Sequence, residues 1–299
     1  MQLIRNQDTP IKTRGINHRV GSFRYKELGE GEPGTPSNFN LRMVWSQTDF
    51  FSPRHRHNFD QVRVQMTGTF SFDDDGVMQP GVVGYFPEGA LYGPQTSQDE
   101  TCTLVLQIGG SSGNGYLSEA ARIAAVEQLA KIGRFESGKY FAKDAAPDHG
   151  VDAFQAAWEH AYGRPMIYPP QRLPKPLLVD TQALDWTALP GASGVQRKRL
   201  WDFGAQAVGL DLYLLASGAT WQMSGPATCF MQEGQGLVQA MPDAAEAAEA
   251  AQAASARSSP WQVERHDSIH LKVGESLVLS GATGTTILAF SHPLFPPAV

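Results

Sequence analysis

Two histidines separated by one residue, with a glutamine four positions further on, have the clearest chemistry in this sequence. They are His55, His57 and Gln61. Residues at even spacing on a β-strand project to the same side, so these three side chains are expected to share one face. Two such imidazoles can bind one metal ion, and a third side chain from the same strand can complete a facial set of ligands. The spacing therefore predicts a metal site.

The same polar face continues along the strand, with Arg63 and Gln65. The opposite face is apolar, with Val62, Val64 and Met66. A polar face that lines the interior of a barrel makes a ligand pocket rather than a packed core. A guanidinium in that pocket can bind a substrate carboxylate in bidentate fashion. The alternative is a salt bridge within the protein, for which three acidic residues are candidates, Asp60, Glu88 and Glu100.

A second segment, residues 81–92, contains Pro87-Glu88-Gly89 and ends at Tyr92. Together the two segments resemble the two motifs of the cupin family. The first motif is His-x-His followed by Glu and Gly, and the second is Gly followed by Pro-x-Gly and a final His. The resemblance covers residues 39–110 and implies a small double-sheet β-barrel that often holds a metal in its mouth.

The resemblance also implies roles for the site residues. Gln61 stands where the family has Glu, and Tyr92 stands where it has the final His. Two of the usual four ligands remain, so Fe(II), Mn(II), Ni(II) or Zn(II) is expected to bind with reduced affinity. Alternatively, His55 and His57 are hydrogen-bonding pocket residues without a metal. Tyr92 is expected to act as a catalytic residue that orients or protonates the substrate, and Arg63 and Gln65 as substrate-binding residues.

Short strands separated by turns are predicted in the first third of the chain, over residues 41–45, 61–66, 82–86 and 103–108. Asp75-Gly76 favours a hairpin between two of them. Helices are predicted over 118–132, with Ser118 as N-cap, and over 152–162. A proline-rich stretch at 168–176 is expected to run extended. Strands return from 194 to 290, interrupted by an alanine-rich insertion at 242–259.

The second strand-rich region resembles the first in its turns. Matching Gly234 to Gly68 replaces the three predicted metal ligands by Trp221, Met223 and Ala227. The second motif is then expected at residues 274–281, with Thr285 at the position of Tyr92. His266 and His270, four residues apart, are read either as a second divalent-ion site or as part of a strand edge.

The sequence thus predicts an all-β fold of two tandem cupin barrels joined by a helical connector. The expected domains are an N-terminal barrel with the site at 1–115, the connector at 116–172, and a C-terminal barrel without ligands at 173–299. By resemblance, the protein is expected to form a homodimer.

The composition excludes several classes of partner and scaffold. The 299 residues carry 24 Lys+Arg and 30 Asp+Glu, a net charge of −6, which argues against nucleic acid or an anionic membrane as a partner. Two cysteines exclude a disulfide framework and a cysteine-only zinc site. Residues 1–6 lack the apolar core of a signal peptide, so a cytoplasmic location is expected.

Three functions remain. The first is a metal-dependent dioxygenase or isomerase acting on a small organic ligand, such as a carboxylate. The second is a non-catalytic binding or storage-like bicupin with a vestigial metal site. The third is a structural interaction protein, which leaves the polar row from His55 to Gln65 without a role and is placed last.

Overall fold

The computed structural model describes residues 1–15, 22–109, 116–146, 148–241, 259–282 and 284–294. The chain divides into two compact units. The N-terminal unit is Pro10–Asp180, and the C-terminal unit combines Met1–Thr9 with Thr181–Val299. Within the described residues, each unit contains one seven-stranded and one four-stranded antiparallel sheet. The predicted all-β fold with two tandem barrels is confirmed.

Strands dominate the described chain. The first fifteen are β1 (Gln2–Ile4), β2 (Lys12–Gly15), β3 (Ser22–Glu30), β4 (Phe39–Ser46), β5 (Phe51–Ser52), β6 (Asp60–Thr67), β7 (Phe70–Ser71), β8 (Val77–Met78), β9 (Val82–Phe86), β10 (Gln95–Ser97), β11 (Thr101–Ile108), β12 (Gly133–Glu136), β13 (Lys139–Ala142), β14 (Val151–Asp152) and β15 (Leu177–Asp180). The remaining ten are β16 (Thr187–Ala188), β17 (Val195–Trp201), β18 (Gly209–Leu215), β19 (Thr220–Ser224), β20 (Ala227–Glu233), β21 (Gln235–Met241), β22 (Trp261–Glu264), β23 (Ser268–Leu271), β24 (Ser276–Gly281) and β25 (Thr285–Ser291). The α-helices are α1 (Glu119–Ile132) and α2 (Ala153–Tyr162), and single 3₁₀ turns lie at Asp73–Asp75 and Thr181–Ala183.

The N-terminal unit has its large sheet in the order β15-β9-β6-β11-β4-β3-β2 and its small sheet in the order β5-β10-β7-β8. The four strands predicted from the sequence correspond to β4, β6, β9 and β11. The predicted Asp-Gly hairpin joins β7 to β8, where Gly76 adopts a φ of 111°. Strand β6 is an inner strand of the large sheet, paired with β9 and β11.

Both helices have a side-chain cap at their N-terminus, and the cap at Ser118 was predicted from the sequence. The Ser118 hydroxyl accepts a hydrogen bond from the amide of Ala121, and the Asp152 carboxylate accepts from the amides of Phe154 and Gln155. The three-stranded sheet β12-β13-β14, which the sequence did not predict, lies between the helices in the chain. The segment predicted as a connector belongs to the N-terminal unit, because the extended chain after α2 enters its large sheet as β15 beside β9.

The C-terminal unit repeats the strand order of the first. Its large sheet runs β1-β23-β20-β25-β18-β17-β16, and its small sheet runs β19-β24-β21-β22. Gly68 and Gly234 both follow the central strand at positive φ, 69° and 83°. A Cβ at Gly68 would lie 2.5 Å from the carbonyl oxygen of Glu100, and one at Gly234 would lie 2.8 Å from the hydroxyl of Thr285. The match of these two glycines is therefore supported by their surroundings.

The match also corrects two sequence predictions. Thr285 begins β25, the counterpart of β11, and so corresponds to Thr101 instead of Tyr92. The second motif begins at His266 instead of residue 274, because the His266 amide donates to the carbonyl of Met231 as the Gly81 amide donates to that of Gln65. Both donors have positive φ. Turn spacing alone placed the motif at β24, which lies in the small sheet. The strands that follow the two donors, β9 after Gly81 and β23 after His266, lie in the large sheets.

The interior of the C-terminal barrel is an apolar core. Trp221 and Met223, matched to His55 and His57 by sequence spacing, are respectively buried in that core and packed against it. The strand pairing corrects the first match, because Trp221 lies opposite Leu279 of β24 as Ser52 lies opposite Gln95 of β10. Ala227, matched to Gln61, is also buried. Cys229 and Met231 lie further along the same strand within the core. The polar row of the first barrel is thus replaced by closely packed apolar side chains.

Three smaller predictions concern the cysteines, His270 and the alanine-rich insertion. The cysteines Cys102 and Cys229 are both buried and unpaired. His270 lies in β23, which is an inner strand between β1 and β20 and not a sheet edge. The alanine-rich insertion lies outside the described residues, except for Ser259. None of the helices in the described ranges has the length and apolar character needed to span a membrane.

Candidate functional site

A cavity of about 190 Å³ lies within the N-terminal unit. Its charged and ligating side chains are Arg42, His55, His57, Gln61, Arg63 and Arg122. Its aromatic walls include Phe59, Tyr116 and Phe154. Among the described residues, no aspartate or glutamate lines this cavity. The volume is smaller than the roughly 300–1,000 Å³ of sites for drug-sized ligands, so the cavity fits a small molecule.

The two histidines lie side by side in the cavity, although they do not lie on a strand. Residues 53–59 form an irregular segment before β6, and His55 makes a single bridge to Tyr92. The Nε2 atoms of His55 and His57 are 3.2 Å apart. His55 Nδ1 lies 2.7 Å from the carbonyl oxygen of Pro53, which can only accept a hydrogen bond, so Nδ1 carries the proton. The Nε2 lone pair of His55 therefore faces His57.

Gln61 lies on β6, as predicted, and its amide is held by two neighbours. Its Oε1 accepts a hydrogen bond from Gln107 Nε2 at 2.8 Å, and its Nε2 donates to the Tyr92 hydroxyl at 3.2 Å. Tyr92 is buried in an aromatic cluster with Phe72 and Phe86 and does not line the cavity. Tyr92 therefore lies behind the cavity wall, where it contacts Gln61 and packs against the rings of His55 and His57, with ring centres 4.7 and 5.9 Å away.

Arg63 projects into the cavity from β6, with its guanidinium among aromatic rings. Its guanidinium carbon lies 5.2–5.5 Å from the ring centres of Phe70, Phe72 and Phe86. It forms a hydrogen bond with Tyr92, and burial lowers the pKa of the guanidinium. An arginine keeps its charge in proteins, so the lowered pKa reflects the cost of removing the cation from water.

No salt bridge of Arg63 is present within the described ranges. Of the three acidic residues considered for it, Asp60 accepts a hydrogen bond from the Glu88 amide, and Glu100 pairs with Arg24. The Arg63 Nε atom is buried without a hydrogen-bond partner among the described groups. Arg63 is therefore a cation in the cavity that the described part of the protein does not neutralise.

Gln65 lies on the same face of β6 as Arg63, but its side-chain amide makes hydrogen bonds within the protein. Its amide nitrogen donates to the carbonyls of Thr67 and Gly68, and its oxygen accepts from the Thr103 hydroxyl at 2.9 Å. It does not line the cavity. The structure therefore places Gln61 and Arg63 beside the histidines, while Gln65 and Tyr92 lie outside the cavity lining.

Solved structures with a similar fold were found over nearly the whole chain. A putative dioxygenase from Nostoc punctiforme matches with a TM-score of 0.58 and 12% identity, over 99% of this chain and 84% of that one. Oxalate decarboxylase from Bacillus subtilis matches with a TM-score of 0.55 and 12% identity, over 97% and 76%. HEPD from Streptomyces albus, with 2-hydroxyethylphosphonate and Fe(II) bound, matches with a TM-score of 0.57 and 12% identity, over 98% and 75%.

These matches and the repeated sheets agree on one architecture. The fold is that of a bicupin. A scan against models of protein families and a search of curated proteins gave no match. At 12% identity the solved structures establish the bicupin fold, and the chemistry of the site rests on the residues of this chain.

A divalent metal is the group that the bicupin fold implies, and the residues present match it at two positions. Two metal–nitrogen bonds of ~2.0–2.1 Å enclosing an angle between 90° and 109° separate the nitrogens by about 2.8–3.4 Å. The 3.2 Å between His55 Nε2 and His57 Nε2 agrees with that value. The further positions do not match, because the Gln61 oxygen is bonded to Gln107 and a cation, Arg63, lies in the same cavity. In the described ranges, no three His, Cys, Asp or Glu side chains group as metal ligands. The described residues therefore do not fit a resident divalent ion.

The missing carboxylate can be restored by one substitution. Gln61→Glu is expected to raise the affinity for Zn(II) at least about tenfold, because it adds an anionic ligand beside His55 and His57. The measurement is metal content after Zn(II) loading and desalting, with wild type well below one equivalent. Gln61→Glu combined with His57→Ala is the control and should lose the gain. A full equivalent in wild type that His57→Ala alone removes would contradict the assignment.

Two arginines that line the cavity, Arg42 and Arg122, were not predicted from the sequence. Arg42 lies on β4, where alternate residues face the cavity, and it pairs with Glu119 and Glu27. Burial alone would lower the pKa of Arg42, but Tyr116 and these carboxylates outweigh it and raise that pKa. Arg122 comes from α1, which the sequence analysis treated as a connector. The alternation of polar residues along β4 was a usable signal for Arg42, whereas no sequence pattern pointed to Arg122.

Proposed function

We propose that the N-terminal barrel binds a small organic anion and that Arg63 binds its carboxylate. The observation that carries this proposal is a guanidinium inside a cavity whose described lining contains no acidic side chain. A half-buried cation without a counter-ion is unfavourable, and an anionic ligand removes that penalty. The site residues His57 and Gln61 add further polar contacts.

The aromatic walls support an organic anion over an inorganic one. Phe59 stacks on His57 with ring centres 4.4 Å apart, and Phe154 approaches the same imidazole edge-on at 5.3 Å. These rings offer apolar surface to a carbon skeleton, while Arg63 holds the acidic end. Pockets of this kind combine apolar walls with a few polar groups that fix the ligand's orientation.

The histidine pair gives the bound anion a neighbour that can hold a proton. With Nδ1 of His55 protonated, one proton is shared between the two Nε2 atoms at 3.2 Å. Tyr92, predicted as a catalytic residue, is proposed instead to position Gln61 through their hydrogen bond. Gln65 is proposed to fix the end of β6 rather than to bind ligand.

Binding of simple carboxylates tests the proposal. Propionate, butyrate and benzoate are titrated by calorimetry and by thermal shift, where binding raises Tm. Arg63→Gln is expected to weaken binding at least about thirtyfold, because losing one partner of a buried charge pair costs roughly 2–5 kcal/mol. Arg24→Gln, a substitution of an exposed arginine in the same unit, is the matched control and should bind like wild type. Equal affinity in Arg63→Gln, or no binding to any carboxylate in wild type, would contradict the proposal.

Metal-dependent dioxygenase or isomerase chemistry is the second candidate function. The observation that favours it is the 3.2 Å separation of the two Nε2 atoms, and the bound anion would have to supply the metal ligands that the described residues lack. It predicts that a carboxylate found to bind is also turned over after metal loading, as measured by oxygen consumption and product analysis. Binding without product would leave the non-catalytic bicupin as the function.

A further inference from the structure

We infer that Arg122 forms a second anion-binding position in the same cavity, so that the ligand carries two acidic groups on a short carbon skeleton. The inference rests on the proposed function of the N-terminal barrel and specifies its ligand class. Arg63 approaches the cavity from β6, whereas Arg122 approaches it from the first turn of α1.

Arg122 is buried although no residue of the described chain neutralises it. Its side chain lines the cavity, and the residue is only 7% exposed. Its Nη2 atom is buried and lacks a hydrogen-bond partner among the described groups. A buried donor left unpaired is destabilising, and more so when it is charged. Arg122 is therefore able to bind an anionic group that does not come from the described part of the protein.

Arg42 shows how this cavity treats an arginine that belongs to the structure. Its guanidinium is paired with Glu119 and lies 3.7 Å from Glu27. It also lies over the ring of Tyr25, with its guanidinium carbon 4.8 Å from the ring centre. No such acidic pair is present for Arg63 or Arg122 within the described ranges. The same cavity therefore contains Arg42, which carboxylates neutralise, and two arginines that no described acidic side chain neutralises, Arg63 and Arg122.

The charge balance favours a dianion over a monoanion. A monocarboxylate bound to Arg63 leaves Arg122 desolvated and unpaired, whereas a second acidic group satisfies both guanidinium forks. The volume of about 190 Å³ restricts the skeleton to a few carbon atoms. A tetrahedral phosphonate can replace either carboxylate, because both groups offer oxygens that accept from the guanidinium fork.

The experiment compares acids of equal chain length. Malonate with propionate and succinate with butyrate are titrated into the full chain by calorimetry, and phosphonoacetate is added to distinguish a phosphonate from a second carboxylate. In wild type each diacid is expected to bind at least about tenfold more tightly than its monoacid. Arg122→Gln should lose this preference and keep its affinity for the monoacid. Arg134→Gln, a substitution of an exposed arginine in the same unit, should keep the preference.

Each outcome decides between the two proposals. If wild type binds monoacids and diacids equally, or if folded Arg122→Gln keeps the preference, the second position is wrong while the proposed function stands. If wild type binds neither class, both are wrong. The comparison within wild type needs no variant, so it decides the question even if Arg122→Gln does not fold. Arg122→Lys, which retains the charge, should keep part of the preference.

Discussion

Replacing Cys229 by arginine is expected to lower the free energy of unfolding of the C-terminal unit by roughly 3–5 kcal/mol, the range found when a buried charge is left unpaired. Cys229 is fully buried in an apolar core. It occupies the register position of Arg63. Cys229 pairs with Ala289 and Ile269, as Arg63 pairs with Val105 and Gly84 on the corresponding strands.

The reverse substitution is the matched control. Arg63→Cys should change the unfolding free energy of the N-terminal unit by no more than about 2 kcal/mol, because it removes a desolvated cation together with its aromatic contacts. Both variants are measured by calorimetric and denaturant unfolding, with solubility as a further readout. Equal tolerance of Cys229→Arg would show that the second barrel has room and polar partners for a cation, contrary to its packed interior.

A second large effect is expected from Asp60, whose side chain is buried on the face of β6 opposite Arg63. Burial raises the pKa of this carboxyl from 3.8 to about 7, although a hydrogen bond from the Glu88 amide opposes the shift. The unfolded chain loses this proton near pH 4 and the folded chain near pH 7. Stability is therefore fully retained below pH 4 and falls as pH rises to 7.

Asp60→Asn isolates this contribution, because an amide oxygen can still accept the bond from the Glu88 amide. The variant is expected to be more stable than wild type by up to about 4 kcal/mol above pH 7, since each pKa unit corresponds to about 1.4 kcal/mol. The difference should disappear below pH 4. The measurement is denaturant unfolding of both proteins between pH 4 and 8. A difference that does not change with pH would show that Asp60 is ionised in the folded protein throughout.

Local sequence signals predicted much of the fold because they act over a few residues. Alternating polar and apolar residues identified β6, and the hydroxyl of Ser118 marked the start of α1. The same alternation placed Gln61 and Arg63 on the cavity face. Turn glycines also revealed the repeat, since a Cβ at Gly68 or at Gly234 would come too close to the chain at Glu100 or at Thr285, respectively.

The rest depends on contacts between residues distant in sequence. Strand parity put Gln65 in the site, but the carbonyls of the turn that follows β6 bind its amide. Arg122 reaches the cavity because α1 packs in the N-terminal unit, and helical periodicity alone does not give that position. The sheet β12-β13-β14 was missed because its strands of two to four residues carry little periodic signal.

The two units can complete their large sheets at different times during synthesis, because the edge strands of these sheets come from different parts of the chain. All strands of the N-terminal unit have been made once Asp180 leaves the ribosome, so this barrel can close during translation. Strand β1 belongs to the other unit and pairs with β23, and beside it the amide of Asn6 donates to Asp267, 261 positions away. Strand β1 is therefore made long before β23, the strand with which it pairs. Until then its backbone has an unpaired edge that can pair with another chain.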